Sequence, residues 1–165
     1  MATLAKRLGE TLREQEETVA TAESCTGGLL GARITDVPGA SDYFDRTLGT
    51  YAYGAKEQLL GVNREDLDVH GAVSEPVARQ MAQGARDTAD VTWGVSTTGI
   101  AGPTGGTEED PVGTVYIGVA YAGPWGSEES YTTVERYVFD GDRETIRELT
   151  VDQALEDLLA EAERR

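Results

Sequence analysis

Apolar residues recur along the chain with two alternating periods, one helical and one typical of strands. Residues 2–15 place Leu4, Ala5, Leu8 and Leu12 on one helical stripe, which predicts an amphipathic helix. Runs rich in β-branched and aromatic residues predict strands at 18–23, 46–53, 91–98, 112–122 and 130–139. Further helices are predicted at about 26–35, 54–60 and 143–161, with a short turn from Asn63 to His70 and a longer helix starting at Ser74.

The order of these elements predicts the fold class. Strands first alternate with helices and then follow one another as a hairpin, which is joined by the turn at 123–126. This order indicates an α/β protein, a three-layer α/β/α sandwich with a mixed sheet, formed by one domain over residues 1–165. The apolar residues of the last helix are expected to face the core: Ile146, Leu149, Ala154, Leu155, Leu158 and Leu159.

Local signals set the ends of several helices. The turn Asp36–Gly39 stops the second helix, and Gly61 is placed to end the third in a left-handed conformation. Asn63 and Asp142 are candidate N-cap residues, and Pro76 suits the first turn of the helix that begins at Ser74.

Composition narrows the setting in which the protein works. The chain of 165 residues has a single cysteine, Cys25, which rules out an internal disulfide and suits a reducing compartment. No apolar run is long enough to span a bilayer, and residues 1–10 lack the apolar segment of a secretory signal. We therefore expect a soluble, cytoplasmic protein without a membrane partner.

The charge balance is strongly acidic. Thirty Asp and Glu residues face fourteen Lys and Arg residues, for a formal net charge of −16, and only Lys6 and Lys56 are lysines. Such a surface repels phosphate backbones, which argues against nucleic acid as a partner. The dispersed acidic excess is typical of salt-adapted proteins, whose self-repulsion is screened by concentrated ions.

The segment Thr21–Gly28, T-A-E-S-C-T-G-G, is the first candidate for chemistry. It joins a predicted strand to a predicted helix and combines a carboxylate, two hydroxyls and a thiol with a glycine pair. A helix N-terminus that contains glycine lets an anion or a developing oxyanion approach the backbone N–H groups. The structural alternative is that Ser24 or Thr26 simply caps the helix, as such residues commonly do.

A glycine-rich loop is the second candidate. Thr98–Gly106, T-G-I-A-G-P-T-G-G, follows a predicted strand, where ligands of α/β sheets commonly bind. It matches neither the P-loop pattern nor the G-x-G-x-x-G pattern of dinucleotide-binding proteins. The alternative is a flexible turn, although long loops in small domains are more often functional.

Three other positions carry possible chemistry. Tyr51, Tyr53 and Lys56 could supply a stacking face and a base, because a desolvated lysine can be neutral and an arginine cannot. Half-buried tyrosines and a solvated lysine are the alternative. His70, the single histidine, is more often structural at such a position, and Arg143, in the first turn of the last helix, could bind a phosphate.

Six motifs in order resemble the CinA carboxyl-terminal domain family. Besides T-A-E-S-C-T-G-G and T-G-I-A-G-P-T-G-G, they are T-D-V-P-G-A-S (35–41), A-K-E-Q-L-L-G-V (55–62), H-G-A-V-S-E (70–75) and P-V-G-T-V-Y (111–116). The resemblance extends from about Leu4 to about Leu159, and it points to the stand-alone, PncC-type form of the domain. It implies hydrolysis of the carboxamide of nicotinamide mononucleotide to nicotinate mononucleotide and ammonia, without a metal or an organic cofactor.

The resemblance also implies roles for individual residues. Ser24 matches the family's nucleophile and Lys56 its base. The backbone N–H groups near Thr26, Gly27 and Gly28 are candidates for the oxyanion hole. For the substrate, Tyr51 or Tyr53 would stack on the pyridinium ring. The phosphate would lie against the glycine-rich loop at Thr98, Gly99, Gly102, Gly105 and Gly106, with Arg143 as its charged contact.

The chain departs from the family pattern in two places, and these departures keep alternatives open. The family's Y-S-N-E-A-K reads Tyr51-Ala52-Tyr53-Gly54-Ala55-Lys56 here, and Asp110 stands where relatives commonly place a lysine. The alternatives are hydrolysis of another amide or ester, a thiol dyad of Cys25 and His70, and a nucleotide-binding or regulatory module without catalysis. A homo-oligomer is expected, because relatives are commonly oligomeric.

Overall fold

A computed structural model describes residues 2–165. Its strands form one mixed sheet, which helices cover on both faces. The strands are β1 (Val19–Glu23), β2 (Phe44–Gly49), β3 (Trp93–Gly99), β4 (Thr114–Tyr121) and β5 (Tyr131–Val138). The helices are α1 (Leu4–Gln15), α2 (Leu29–Thr35), α3 (Tyr53–Leu60), α4 (Arg64–His70), α5 (Glu75–Ala89) and α6 (Arg143–Glu163), with a 3₁₀ turn at Ala40–Asp42. The predicted α/β fold with a mixed sheet is confirmed.

The sheet order is β2-β1-β3-β4-β5. β1 pairs in parallel with both β2 and β3, whereas β3–β4 and β4–β5 are antiparallel. The carboxyl ends of β1, β2 and β3 therefore meet at one edge of the sheet, and the glycine-rich loop between β3 and β4 starts at the same edge. Ligands of open α/β sheets bind at this edge.

Two apolar cores lie on the two faces of the sheet. Because side chains alternate along a strand, Val19 of β1 faces the layer of α1, α2 and α6, while Ala20 and Ala22 face α3, α4 and α5. The first core is the larger and includes Trp93, buried against the aromatic rings of β4 and β5. Among residues 2–165, no helix combines the length and apolar character needed to cross a membrane.

Several predicted helix ends are confirmed. Asn63 and Asp142 accept hydrogen bonds from the backbone N–H groups of Asp66 and Thr145, as N-cap residues do. Gly61 ends α3 with a φ of 68°, a left-handed conformation that favours glycine. Ser74 precedes α5 as predicted, and Pro76 lies in its first turn.

Two predictions about the elements were wrong. The strand expected at 46–53 is Phe44–Gly49, because β2 is an edge strand whose one neighbour, β1, ends at Glu23. The N–H of Thr50 makes the last hydrogen bond to β1, at the Glu23 carbonyl. Tyr53 instead begins α3. Leu149, expected in the core, is 37% exposed, because Ile146, Thr150 and Val151 occupy the buried face of that turn of α6.

Candidate active site

Ser24 and Lys56, 32 residues apart in sequence, meet at the carboxyl edge of the sheet. Ser24 directly follows β1, and Lys56 lies in the first turn of α3. The Nζ of Lys56 lies 3.0 Å from the Oγ of Ser24, and the Lys56 side chain has no exposed surface. Its amine also donates to the backbone carbonyls of Thr50, at 2.7 Å, and Tyr51, at 2.9 Å.

The surroundings of Lys56 shift its protonation equilibrium toward the neutral amine. Burial lowers the pKa of Lys56 from 10.5 to about 8, and this effect outweighs the opposite effect of the neighbouring Cys25. A neutral amine has two N–H bonds and one lone pair. When the amine is neutral and its two N–H bonds are donated to the two carbonyls, its lone pair faces the Ser24 hydroxyl. This is the arrangement that a general base requires.

Glu23 holds the turn that carries Ser24. Its buried carboxylate accepts hydrogen bonds from the backbone N–H groups of Gly28 (3.1 Å), Leu30 (2.9 Å) and Gly31 (2.9 Å). The hydroxyls of Thr21 (3.0 Å) and Thr26 (2.6 Å) donate to the same carboxylate. Glu23 thus caps the N-terminus of α2, and neither Ser24 nor Thr26 does so with its side chain.

This cap changes which backbone groups can bind an oxyanion. The N–H of Gly28 donates to Glu23, and that of Gly27 donates to the Ser24 carbonyl at 3.2 Å. In the described part of the chain, the N–H groups of Cys25 and Thr26 have no acceptor. Of the three oxyanion-hole candidates expected from the sequence, only Thr26 therefore has a free backbone N–H. The backbone N–H of Cys25, which was not predicted, is a second free donor.

A pocket of about 170 Å³ opens beside Ser24. Its lining comes from five segments that are distant in sequence: Ser24, Cys25, Tyr51, Ala72, Val73, Thr98, Gly99, Ala101 and Arg143. Arg143 donates to the Gly102 carbonyl at 2.7 Å and lies 3.4 Å from the Tyr51 hydroxyl. The fold therefore brings the strand-end motif, the glycine-rich loop and the start of α6 to one place.

Several of the remaining predicted residues lie outside the pocket lining. Tyr53 does not line the pocket, and its hydroxyl accepts from the Ala72 N–H at 3.3 Å. Thr98 does line the pocket, and its hydroxyl donates to the Ala72 carbonyl at 2.9 Å. Gly105 and Gly106 are exposed and outside the pocket lining. Asp110 pairs with Arg136 at 3.4 Å.

Arg147 is the residue that sequence reasoning missed. From the second turn of α6, its guanidinium donates to the carbonyls of Cys25, at 3.1 Å, and Thr26, at 3.0 Å. One signal was available: Arg147 follows Arg143 by four residues, which places both on the same side of a helix. That spacing indicates a shared face but not what the second arginine contacts.

The thiol alternative lacks a working nucleophile. Burial raises the pKa of Cys25 from 9.0 to about 12, so the thiol stays protonated near neutral pH. His70 is exposed at the end of α4, and no hydrogen bond joins it to Cys25. A cysteine needs an electropositive setting or an adjacent base to act as a nucleophile.

Fold and site together define an α/β protein with a buried serine–lysine pair at the carboxyl edge of its sheet. The model of the CinA C-terminal domain matches residues 1–162. A CinA-like protein of Anaeromyxobacter sp. (strain Fw109-5) is 55% identical over 87% of this chain. A CinA-like protein of Salinibacter ruber is 49% identical over 94% of this chain. The chain belongs to the CinA C-terminal domain family.

The chain spans about a third of the length of those two relatives, 33% and 36% respectively. Solved structures agree over nearly the whole chain. The competence/damage inducible protein CihA from Agrobacterium tumefaciens is 39% identical, with a TM-score of 0.88 over 95% of this chain and 92% of its own. A CinA superfamily protein from Klebsiella pneumoniae is 30% identical, with a TM-score of 0.89 over 98% and 97%.

Proposed function

We propose that this protein is an amidohydrolase that converts nicotinamide mononucleotide to nicotinate mononucleotide and ammonia. The observation that carries the proposal is the buried Lys56 amine, which contacts the Ser24 hydroxyl and whose pKa burial lowers to about 8. An amide is a poor electrophile with a poor leaving group, so a covalent route through an acyl-enzyme divides the barrier into two steps.

The chemistry follows from these two side chains. Neutral Lys56 takes the Ser24 proton as Oγ attacks the carboxamide carbon. The C–N bond then breaks, Lys56 returns its proton to the departing nitrogen, and ammonia leaves a Ser24 ester. Lys56 next removes a proton from water, which attacks the ester and releases the carboxylate while Ser24 regains its proton.

Backbone N–H groups are suited to stabilise the oxyanion of both steps. The free N–H groups of Cys25 and Thr26 flank the nucleophile in the proposed mechanism. Donors fixed before the reaction need no reorganisation when the charge develops, and one such donor is worth about 3 kcal/mol.

The electrostatics of the pocket favour an anionic substrate. Within residues 2–165, Lys56, Arg143 and Arg147 form no ion pair, whereas most other arginines pair with carboxylates. Two arginines without a carboxylate partner in this part of the chain, Arg143 and Arg147, therefore lie near Ser24 in an otherwise acidic protein. Arg143, at the pocket and beside the glycine-rich loop, is the proposed phosphate contact.

The size of the pocket fits the reacting end of the substrate rather than a whole nucleotide. Its volume of about 170 Å³ is below the roughly 300–1,000 Å³ of common ligand sites. The carboxamide would be enclosed, with the rest of the nucleotide on the open rim. Tyr51, which is 67% exposed there, is the proposed stacking partner of the pyridinium ring, whereas the Tyr53 hydroxyl is hydrogen-bonded to the Ala72 N–H.

Ammonia release from nicotinamide mononucleotide in concentrated potassium chloride tests the proposal. The wild type is compared with Ser24→Ala, Lys56→Ala and Lys6→Ala, the last being a matched control because Lys6 is the other lysine and is exposed. We expect release by the wild type and Lys6→Ala and loss of release in the two site variants. No release by folded wild type would refute the substrate, and tight binding of the nucleotide without turnover would instead indicate a binding module.

A further inference from the structure

Arg147 contacts the backbone of the turn that carries the proposed nucleophile. Its Nε and Nη2 each donate to a carbonyl of consecutive residues, Cys25 and Thr26. Among residues 2–165 it has no carboxylate within ion-pair distance, although the chain holds more than twice as many acidic as basic residues. The full charge of the guanidinium is thus directed at two peptide groups next to Ser24.

The geometry of the peptide bond connects this contact to the oxyanion donors. In a planar trans peptide the C=O and N–H groups point in opposite directions. Arg147 holds the Cys25 carbonyl, so the N–H of Thr26, in the same peptide unit, is turned away from Arg147 and has no acceptor in the described chain. A charged donor on the carbonyl also polarises the unit and strengthens its N–H as a donor.

The preceding peptide unit, Ser24–Cys25, is also held at its carbonyl, here by a backbone N–H group. The Ser24 carbonyl accepts from the N–H of Gly27, which leaves the Cys25 N–H free on the opposite side of that unit. Gly27 has a φ of 57°, and a Cβ atom there would lie 3.5 Å from Nη2 of Arg147. The turn therefore presents two successive free N–H groups, because the carbonyls of the same peptide units accept hydrogen bonds on its opposite side.

We infer that Arg147 is a positioning residue that fixes and polarises the Cys25–Thr26 peptide as an oxyanion donor. This inference rests on the proposed role of Ser24 as the nucleophile. A purely structural role, anchoring α6 to α2, already belongs to another arginine: Arg33 of α2 binds Glu148 at 2.6 Å and Asp152 at 3.1 Å, both on α6. Arg33→Ala is therefore the matched control for Arg147→Ala.

The test uses p-nitrophenyl acetate, whose attack by serine passes through a tetrahedral oxyanion whatever the natural substrate. The Ser24 oxygen bonds the acetyl carbon, p-nitrophenolate leaves, and the serine proton passes to Lys56. Acylation of Ser24 is followed by absorbance and located by mass spectrometry of peptides, with Ser24→Ala as the blank. Ammonia release from nicotinamide mononucleotide is measured in parallel, together with thermal unfolding of every variant.

Arg147→Ala is expected to be acylated about ten- to a hundredfold more slowly than wild type. This decrease in rate should not exceed the decrease caused by removing one oxyanion donor. The pH midpoint set by Lys56 stays unchanged, and kcat for the nucleotide falls while KM changes little. Added guanidinium, but not sodium chloride of equal concentration, restores part of the rate. Arg147→Lys, which keeps the charge, is intermediate and serves as the test if Arg147→Ala does not fold.

Three results would overturn the inference: acylation of Arg147→Ala at the wild-type rate, an equal loss in Arg33→Ala, or no acylation of wild-type Ser24. The last would also refute the proposed mechanism. Acylation of wild-type Ser24 without ammonia release would refute the nucleotide substrate alone, because the comparison of acylation rates still decides the role of Arg147.

Discussion

Lys56 is a fully buried lysine whose amine has no carboxylate partner among residues 2–165, which is uncommon because burying a charged group is costly. Three polar atoms, the Thr50 and Tyr51 carbonyls and the Ser24 hydroxyl, satisfy its Nζ without any carboxylate. A carboxylate at this position would favour the charged form and remove the base. The choice of neutral partners is therefore what makes this lysine useful in the proposed mechanism.

The pKa of Lys56 predicts the pH dependence of hydrolysis. The neutral amine is the active form, so kcat/KM should rise about tenfold per pH unit below the pKa of about 8 and level off above it. The measurement is kcat/KM for ammonia release between about pH 6 and pH 10. Cys25→Ala is the control and should keep this profile, because its thiol is protonated throughout most of the range. A flat profile would contradict a lysine base.

Glu23 predicts a second residue-specific effect. Glu23→Gln keeps the shape of the side chain but turns an amide N–H toward backbone N–H donors, leaving at least one buried donor unpaired. We expect a loss of about 1–3 kcal/mol in the free energy of unfolding, measured with urea, and a lower kcat. Glu10→Gln, on the exposed side of α1, should change neither. Unchanged stability of Glu23→Gln would show that the cap is dispensable.

The packing of α5 on the sheet depends on small residues in two strands. Gly94 of β3 and Gly118 of β4 lie under this helix, and a Cβ at Gly94 would be 2.1 Å from the Ala82 carbonyl oxygen. Between them, Ser96 donates to the Ala78 carbonyl at 2.7 Å. Helix and sheet can approach this closely only because those positions lack bulk.

Gly118→Ala tests this close packing. The new Cβ would lie 2.6 Å from the Ser96 Oγ and 2.8 Å from the Ala78 carbonyl oxygen, so α5 must shift. We expect a loss of about 1–3 kcal/mol in the free energy of unfolding. Gly49→Ala on β2 is the matched control, since a Cβ there meets nothing within 4 Å, and its stability should be unchanged or slightly higher. Equal effects in both variants would contradict the packing argument.

The protein as a whole carries its charge unevenly. The net charge of −16 is spread over the chain, while the guanidinium groups of Arg143 and Arg147 lie at the site. The acidic surface repels itself in the folded state, and salt screens that repulsion. The cations at the site, in contrast, supply a local field that favours an anionic ligand.

Salt should therefore stabilise the fold. Raising potassium chloride from about 0.1 M to about 1 M shortens the screening length from about 10 Å to about 3 Å, and we expect the Tm to rise. Differential scanning calorimetry across a salt series measures this shift, and an uncharged osmolyte at equal osmolality is the control. A Tm that is insensitive to salt, or that rises equally with the osmolyte, would contradict an electrostatic origin.

Much of the fold followed from local patterns. Helical and strand periods predicted the layers and the mixed sheet, and capping residues such as Asn63 and Asp142 fixed helix ends within a residue, because these signals act over a few neighbours in sequence. The errors arose where a distant partner decides. β2 ends where its pairing with β1 ends, and the exposure of Leu149 depends on which face of α6 packs against the sheet.

For the site, the sequence supplied the chemical groups and the fold supplied their relations. Ser24, Lys56 and Arg143 were predicted as candidates from local pattern and family resemblance, and each lies at the same pocket or touches a residue that does. Other features of the site depend on residues up to 122 positions apart in sequence. These features are the burial of Lys56, the cap formed by Glu23 and the hydrogen bonds of Arg147 to the turn that carries Ser24. Such distances and desolvation exist only once the chain has folded, since sequence order says nothing about which groups lose contact with water.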